Sequence, residues 1–158
     1  MKLITLSTKH LPQLLVMERA YFSVQWSEDT MMWALTNPNI HAVGAEVDGI
    51  FVGYAFLRHC LADGLSDQAE LLNIAVDAEN RGRGIGTQLL TYMMQLAWDG
   101  GAESIFLEVR QSNKTARRLY TEAGFTPIGI RRGYYSLPTE DAVVMRVRFG
   151  DLPLTSRG

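Results

Sequence analysis

A single cysteine, Cys60, occurs in 158 residues, which excludes an internal disulfide and a cysteine-based metal cluster. Histidine is nearly as scarce. His10, His41 and His59 are scattered, with no HxxxH spacing and no accompanying carboxylate pattern, so no metal site is expected. An excess of charge is missing too: with a net charge of −2 there is no global basic field of the kind that drives non-specific nucleic-acid binding. Any anion site must be local. No apolar run approaches the ~20 residues of a membrane span. The N-terminal MKLITLSTKHLPQLL has neither a sustained apolar core nor a small-residue cleavage site, and is not read as a signal peptide. The expectation is a cytosolic chain with no membrane or nucleic-acid partner. Internal repeats, low-complexity tracts and interdomain linkers are also absent, so one domain over residues 1–150 is expected, followed by a loose tail, DLPLTSRG, at 151–158.

What the chain does have is apolar material, 47% of it, enough to bury a core. Leu3, Ile4 and Leu6 suggest a first strand. Leu11, Leu14, Leu15 and Glu18 then read as a helix entered near Pro12. Ser27, followed by Glu28 and Asp29, is a good N-cap for a second helix ending before Pro38. Asp48-Gly49 between β-rich runs predicts an antiparallel hairpin over 40–60. A polar loop, LADGLSD, leads to AELLNIAV, apolar on both faces and so expected in the middle of its sheet. A helix follows on Ile85, Leu89, Leu90, Met93, Met94 and Ala97, with Met93, Met94 and Trp98 taken as core, and Gly100-Gly101 ends it. SIFLEV is a further strand, Ser112-Asn113 caps a short helix through Ala123, and Phe125–Arg132 and AVVMRVRF are the last strands, with RRGYYSLPTED read as a loop between them. Together these predict one mixed α/β sheet with helices packed on it.

The stretch RGRGIGTQLL, 81–90, places two arginines and three glycines at a strand-to-helix connection. Glycines let the backbone turn with its N–H groups exposed. A helix N-terminus adds unpaired donors and about half a positive charge. A phosphate group is the natural guest, and a tight turn with no ligand is the other reading the spacing allows. Two commoner phosphate loops fail. The turn has no lysine, so it is not a P-loop. Counted from Gly82 and Gly84, the third glycine of GxGxxG is Thr87, and the acidic residue about twenty positions on, Glu103, opens a strand instead of closing one. A nucleotidase or dehydrogenase is disfavoured.

The pattern Arg81-x-x-Gly84-x-Gly86, between NIAV and an amphipathic helix, resembles the Q/R-x-x-G-x-G/A acetyl-CoA motif of the GNAT N-acetyltransferases. LEVRQSNKTARRLYTEAGF (107–125) and RRGYYSLPTEDAVVM (131–145) are similar to the corresponding parts of RimI-type members, which acetylate the N-terminal residue of a small-subunit ribosomal protein. The likeness covers about residues 70–147 and is weaker in the N-terminal third, where it rests mainly on Trp26-Ser27. It implies the α+β GNAT fold: a single mixed, mostly antiparallel sheet with a splayed central strand pair and helices on both faces. It also implies acetyl-CoA as co-substrate, with Gly82, Arg83, Gly84, Ile85, Gly86 and Thr87 at the phosphates and Ile74, Ala75 and Val76 along the pantetheine arm. The implied partner is a protein or peptide N-terminus, possible acceptors otherwise being lysine or a small amine; the chain is expected as monomer or homodimer.

Acetyl transfer from a thioester needs a neutral amine, a stabilised oxyanion and a proton for the departing thiolate. Deprotonating an α-amine of pKa near 8 at neutral pH costs about 1 kcal/mol, against roughly 4.6 kcal/mol for a lysine near 10.4. A modest base suffices for an N-terminus. Glu108 alternates with Leu107 and Val109 and so shares a sheet face with Phe106. By itself it reads either as a base or as a surface partner of Arg110 or Arg131; the resemblance implies the base, direct or through water. Tyr120 reads as amphipathic core or as an acid. The GNAT pattern N-x-x-A-x-x-x-Y, met by Asn113, Ala116 and Tyr120, implies the acid, with Asn113 as helix cap and partner of the pantetheine arm. Tyr134 and Tyr135 are expected to line the groove for the peptide N-terminus. No covalent enzyme intermediate is required. A non-catalytic acyl-CoA-binding module is the rival from another class, and retention of Glu108, Asn113 and Tyr120 together argues against it.

Overall fold

The described residues form seven strands and four helices, in the order β1 (Lys2–Thr5), α1 (Leu11–Tyr21), α2 (Glu28–Thr36), β2 (Ile40–Val47), β3 (Ile50–Cys60), β4 (Gln68–Val76), α3 (Ile85–Asp99), β5 (Ser104–Arg110), α4 (Lys114–Glu122), β6 (Thr126–Tyr135) and β7 (Glu140–Arg148). The structure is a computed structural model that describes residues 1–60 and 67–153. The strands form one sheet in the order β1-β2-β3-β4-β5-β7-β6, so AELLNIAV is central as expected. Ladders β1–β2, β2–β3, β5–β7 and β6–β7 are antiparallel and β4–β5 is parallel. The parallel ladder covers only Gln68↔Ser104 to Glu70↔Phe106, although β4 runs on to Val76 and β5 to Arg110.

Local chemistry accounts for the boundaries. Asp48 and Gly49 both take positive φ (53° and 78°) between β2 and β3, the geometry of a type I′ hairpin turn. Ser27 Oγ accepts the Thr30 N–H at 3.1 Å to cap α2, and Asn113 Oδ1 accepts the Ala116 N–H at 3.1 Å to cap α4. The LADGLSD loop lies outside the described residues except for Asp67, and so does the tail from residue 154. Asp151 closes a short 3-10 turn, Phe149–Asp151.

The chain divides into two compact units, Met1–Arg58 with Leu71–Met93, and His59–Glu70 with Met94–Gly158. In the first, Leu14 and Met17 of α1 and Met31 and Ala34 of α2 pack on Tyr54 and Phe56 of β3. Gly53, on the opposite face, stands against Leu89 of α3, so this unit carries helices on both faces of its strands. In the second, alternation along β5 buries Ile105, Leu107 and Val109 and leaves Phe106 and Glu108 on the half-buried face. Trp98 departs from expectation: it is 42% exposed, edge-on to Phe149 at 5.5 Å, because the apolar arc of α3 that Met93 and Ala97 occupy does not extend to it.

Candidate active site

In the first unit, the end of β4, the turn and the start of α3 form the candidate coenzyme site. Gly82 and Gly84 have φ of +76° and +79°, a left-handed conformation that strains any L side chain. A Cβ at either would meet nothing within 4 Å, so the turn presents bare backbone to its surroundings. The Ile85 side chain is buried and anchors α3, which leaves its backbone N–H and those of Gly86 and Thr87 ahead of the first intrahelical bond, Gln88 N–H to Gly84 O at 3.0 Å. Such a donor set fits a phosphate. Leading into it, Ala75 of β4 is buried and Ile74 and Val76 are half-buried.

Both arginines of the turn are braced. Arg81 donates through Nε to Val76 O at 3.0 Å, and its guanidinium lies 4.9 Å above the ring of Tyr21. The Tyr21 hydroxyl donates to Asp77 and accepts from the Ala78 N–H at 2.8 Å. That hydrogen bond is the main reason Asp77 is held below the usual carboxylate range. Arg83 donates to Asn80 Oδ1 at 3.2 Å. Nothing in the sequence around the turn announces Tyr21, because its bond to Asp77 spans 56 positions.

The second unit gathers Glu108, Tyr134, Tyr135 and Tyr120. The Glu108 side chain is 11% exposed, and its Oε1 lies 3.4 Å from Arg131, which is 59% exposed. A hydrogen bond to Glu108 is the main cause of Tyr134 being pushed up to about 12, with burial adding to it. Tyr135, pushed up to about 12 chiefly by burial and then by the Glu108 charge, meets Tyr134 edge-on at 5.0 Å. Tyr120 is 6% exposed, tilted against Phe125 at 5.8 Å; burial, then the proximity of Tyr135, raises its phenol pKa. Its hydroxyl has no hydrogen-bond partner among the described residues, a buried donor of the kind a ligand can satisfy.

One expectation for this unit needs correction. RRGYY is not a loop: β6 continues to Tyr135. A register shift between Arg131 and Tyr135 accommodates Gly133, whose φ is +60° and whose N–H finds Asp141 Oδ1 at 2.8 Å. A bulge absorbs what reads in sequence as a strand-ending glycine. Of the two expected Glu108 partners, Arg131 is its ion pair, while Arg110 reaches Ser136 O (2.7 Å), Pro138 O (2.9 Å) and Glu140 (3.3 Å) and stacks on Tyr135 at 4.6 Å. Arg110 thereby fastens the segment that follows the two tyrosines.

Sequence reasoning also missed a buried polar group in the first unit. Glu18 of α1 is 1% exposed and accepts from the Tyr54 hydroxyl, the Asn73 amide and the Trp26 N–H. Burial chiefly, and then the Glu18 charge and its hydrogen bond, raise the Tyr54 pKa.

The chain matches the acetyltransferase (GNAT) family over residues 11–125. It is 37% identical over 126 residues to an N-alpha-acetyltransferase RimI of Mycobacterium tuberculosis, covering 80% of this chain and 77% of the relative. A ribosomal protein bS18-alanine N-acetyltransferase of Haemophilus ducreyi is 33% identical over 136 residues, covering 84% and 90%. Among solved structures, the ribosomal-protein-S18-alanine N-acetyltransferase of Escherichia coli superposes with a TM-score of 0.84 at 30% identity over 93% of this chain and 92% of that one. The chain belongs to the acetyltransferase (GNAT) family and is an N-acetyltransferase.

Proposed function

We propose that this N-acetyltransferase moves the acetyl group of acetyl-CoA to the α-amine of a protein N-terminus, the N-terminal alanine of a small-subunit ribosomal protein being the favoured acceptor. The carrying observation is the carboxylate of Glu108, shielded to 11% exposure and ion-paired with Arg131, which is 59% exposed. It can release that partner and take a proton from an incoming ammonium, directly or through one water. For an α-amine the deprotonation it must assist is only about 1 kcal/mol uphill at neutral pH.

In this reading the N–H groups of Gly82 to Thr87 hold the pyrophosphate, Ile74–Val76 bind the arm through backbone groups, and Asn113 adds a side-chain donor beside its capping role. The β4–β5 ladder, which ends at Glu70↔Phe106, supports that use of β4. Tyr120 keeps its proton because burial raises its pKa, and it donates a hydrogen bond to sulfur as charge develops there. Attack by the amine and departure of the thiolate occur in one ternary complex, so Cys60 has no part. Tyr134 and Tyr135, on a bulged strand end beside Glu108, face the acceptor. The names of the relatives from Haemophilus ducreyi and Escherichia coli support the ribosomal acceptor.

The test is acetyl-CoA-dependent release of CoA with an Ala-initiated ribosomal-type peptide, set against the same peptide blocked at its α-amine but containing lysine. Turnover with the free N-terminus alone is expected. Turnover confined to the blocked peptide would reassign the acceptor to lysine, and turnover with neither would direct the reading to small amines or a binding module.

A further inference from the structure

We infer that Glu18 is a positioning residue that couples β4 to the Trp26 segment ahead of α2, so that coenzyme bound on β4 orders that segment; the inference rests on the coenzyme reading above. Glu18 Oε1 accepts from the Tyr54 hydroxyl on β3 and from Asn73 Nδ2 on β4. Its Oε2 accepts the Trp26 backbone N–H at 3.0 Å. All three donors are neutral. Burying a carboxylate among neutral donors is expensive unless every lone pair facing a donor is used, and here one rigid group unites α1, β3, β4 and the connection to α2.

The position of each donor gives the network its direction. Asn73 immediately precedes Ile74–Val76, the residues assigned to the pantetheine arm. Trp26 lies in the irregular stretch 22–27 between α1 and the Ser27 cap, its N–H held by the Glu18 side chain and not by a helical or ladder carbonyl, and its ring packs on Phe56 at 5.3 Å. When the backbone of β4 is restrained, Asn73 is restrained with it, and the carboxylate passes the restraint to the only irregular segment it touches. Two bonds through one group make the path, and the effect is a loss of motion at Trp26 with no change of fold. Coupling of this kind is reciprocal, so a peptide held by the Trp26 segment tightens coenzyme binding by the same factor.

Glutamine at position 18 supplies one acceptor oxygen in place of two, and three donors cannot all be satisfied by it. Glu18→Gln therefore cuts a link at nearly constant shape. Tyr54→Phe removes a donor but leaves the path from Asn73 to Trp26. Both are made in a Trp33→Phe, Trp98→Phe background, where Trp26 is the one tryptophan and is excited selectively over the tyrosines, and titrated with acetyl-CoA, with calorimetry as an independent measure of binding. The parent's emission is expected to shift on binding and Tyr54→Phe to keep the shift. Glu18→Gln should lose it, with affinity changed less than about fivefold, the lower end of ordinary coupling. A shift that survives Glu18→Gln, or one lost equally in Tyr54→Phe, overturns the coupling, as does calorimetric binding with no shift in the parent. No calorimetric binding in the parent overturns the coenzyme reading and the coupling together. Should Glu18→Gln fail to fold, hydrogen exchange in the unsubstituted protein decides: amides of 22–27 must gain protection with acetyl-CoA, and unchanged exchange there refutes the coupling.

Discussion

Two carboxylates show how differently one side chain can be used. Glu18 is 1% exposed and spends both oxygens on neutral donors from β3, β4 and the chain ahead of α2. Glu108 is less deeply placed, and its partners, Arg131 and Tyr134, both belong to the exposed β6. Three neutral donors converging on one buried carboxylate make the first a strut, because withdrawing any one of them strands a polar group. Partners on an edge strand with a bulge can withdraw, so the second can gain or give up a proton during a reaction. Burial alone does not separate structure from chemistry; the mobility of the hydrogen-bonding partners does.

The sharpest way to break this contrast is to exchange its consequences. Glu108→Gln is expected to lower kcat by about 10²–10⁴, the usual worth of a positioned base. The melting temperature should stay within a few degrees, since an ion pair this open contributes at most about 1 kcal/mol. Glu18→Ala should do the reverse. It strands the Tyr54 hydroxyl, the Asn73 amide and the Trp26 N–H, each at about 1–3 kcal/mol, so a loss of at least ~3 kcal/mol is expected. For a chain of this size that is a melting temperature lower by roughly 6–12 °C. Calorimetric melting beside steady-state kinetics reads both. A Glu108 variant that melts early with full activity would erase the distinction.

Local signals were legible in the sequence and distant pairings were not. Ser27, Asn113 and Asp48-Gly49 each satisfy or bend backbone within three residues, so capping and turn chemistry reveal them. The glycine turn is legible for the same reason. Glu18 reads as one more residue on an amphipathic helix, because its partners lie 36 and 55 positions away and only the packing of α1 on β3 and β4 unites them. Tyr134 and Tyr135 were found as residues but set in a loop, since nothing local shows that Asp141 will accept the Gly133 N–H and let the strand continue. Alternation correctly gave the face of Glu108, yet which of two nearby arginines it pairs with depends on where the β6–β7 segment folds.

A smaller effect is expected at Tyr120. Replacing it by Phe removes one hydroxyl from a buried ring that otherwise packs on Phe125, so the fold and coenzyme affinity should persist. Turnover should fall by about a hundredfold, the lower end for a positioned proton donor. Pre-steady-state kinetics would place the loss in the chemical step. Unchanged turnover would return Tyr120 to the core and leave Glu108 without an acid partner.

The gentlest probe titrates the contact between Glu108 and Tyr134 itself. Tyr134 is pushed up to about 12 chiefly by its hydrogen bond to Glu108, whereas an unfolded tyrosine ionises near 10. Because the folded value is the higher one, the protonated phenol favours the folded state. This contribution is fully present below pH 10 and is lost as pH rises from about 10 to about 12. Phenolate absorbance, taken as the difference between the protein and its Tyr134→Phe variant, should show a midpoint near 12. In a Glu108→Gln background the midpoint should fall toward 10, because the hydrogen bond to the carboxylate, and with it the charge that opposes ionisation, has gone. An ordinary midpoint in the unsubstituted protein would mean that Tyr134 does not hold Glu108. The mobile partners that set Glu108 apart from Glu18 would then reduce to Arg131 alone.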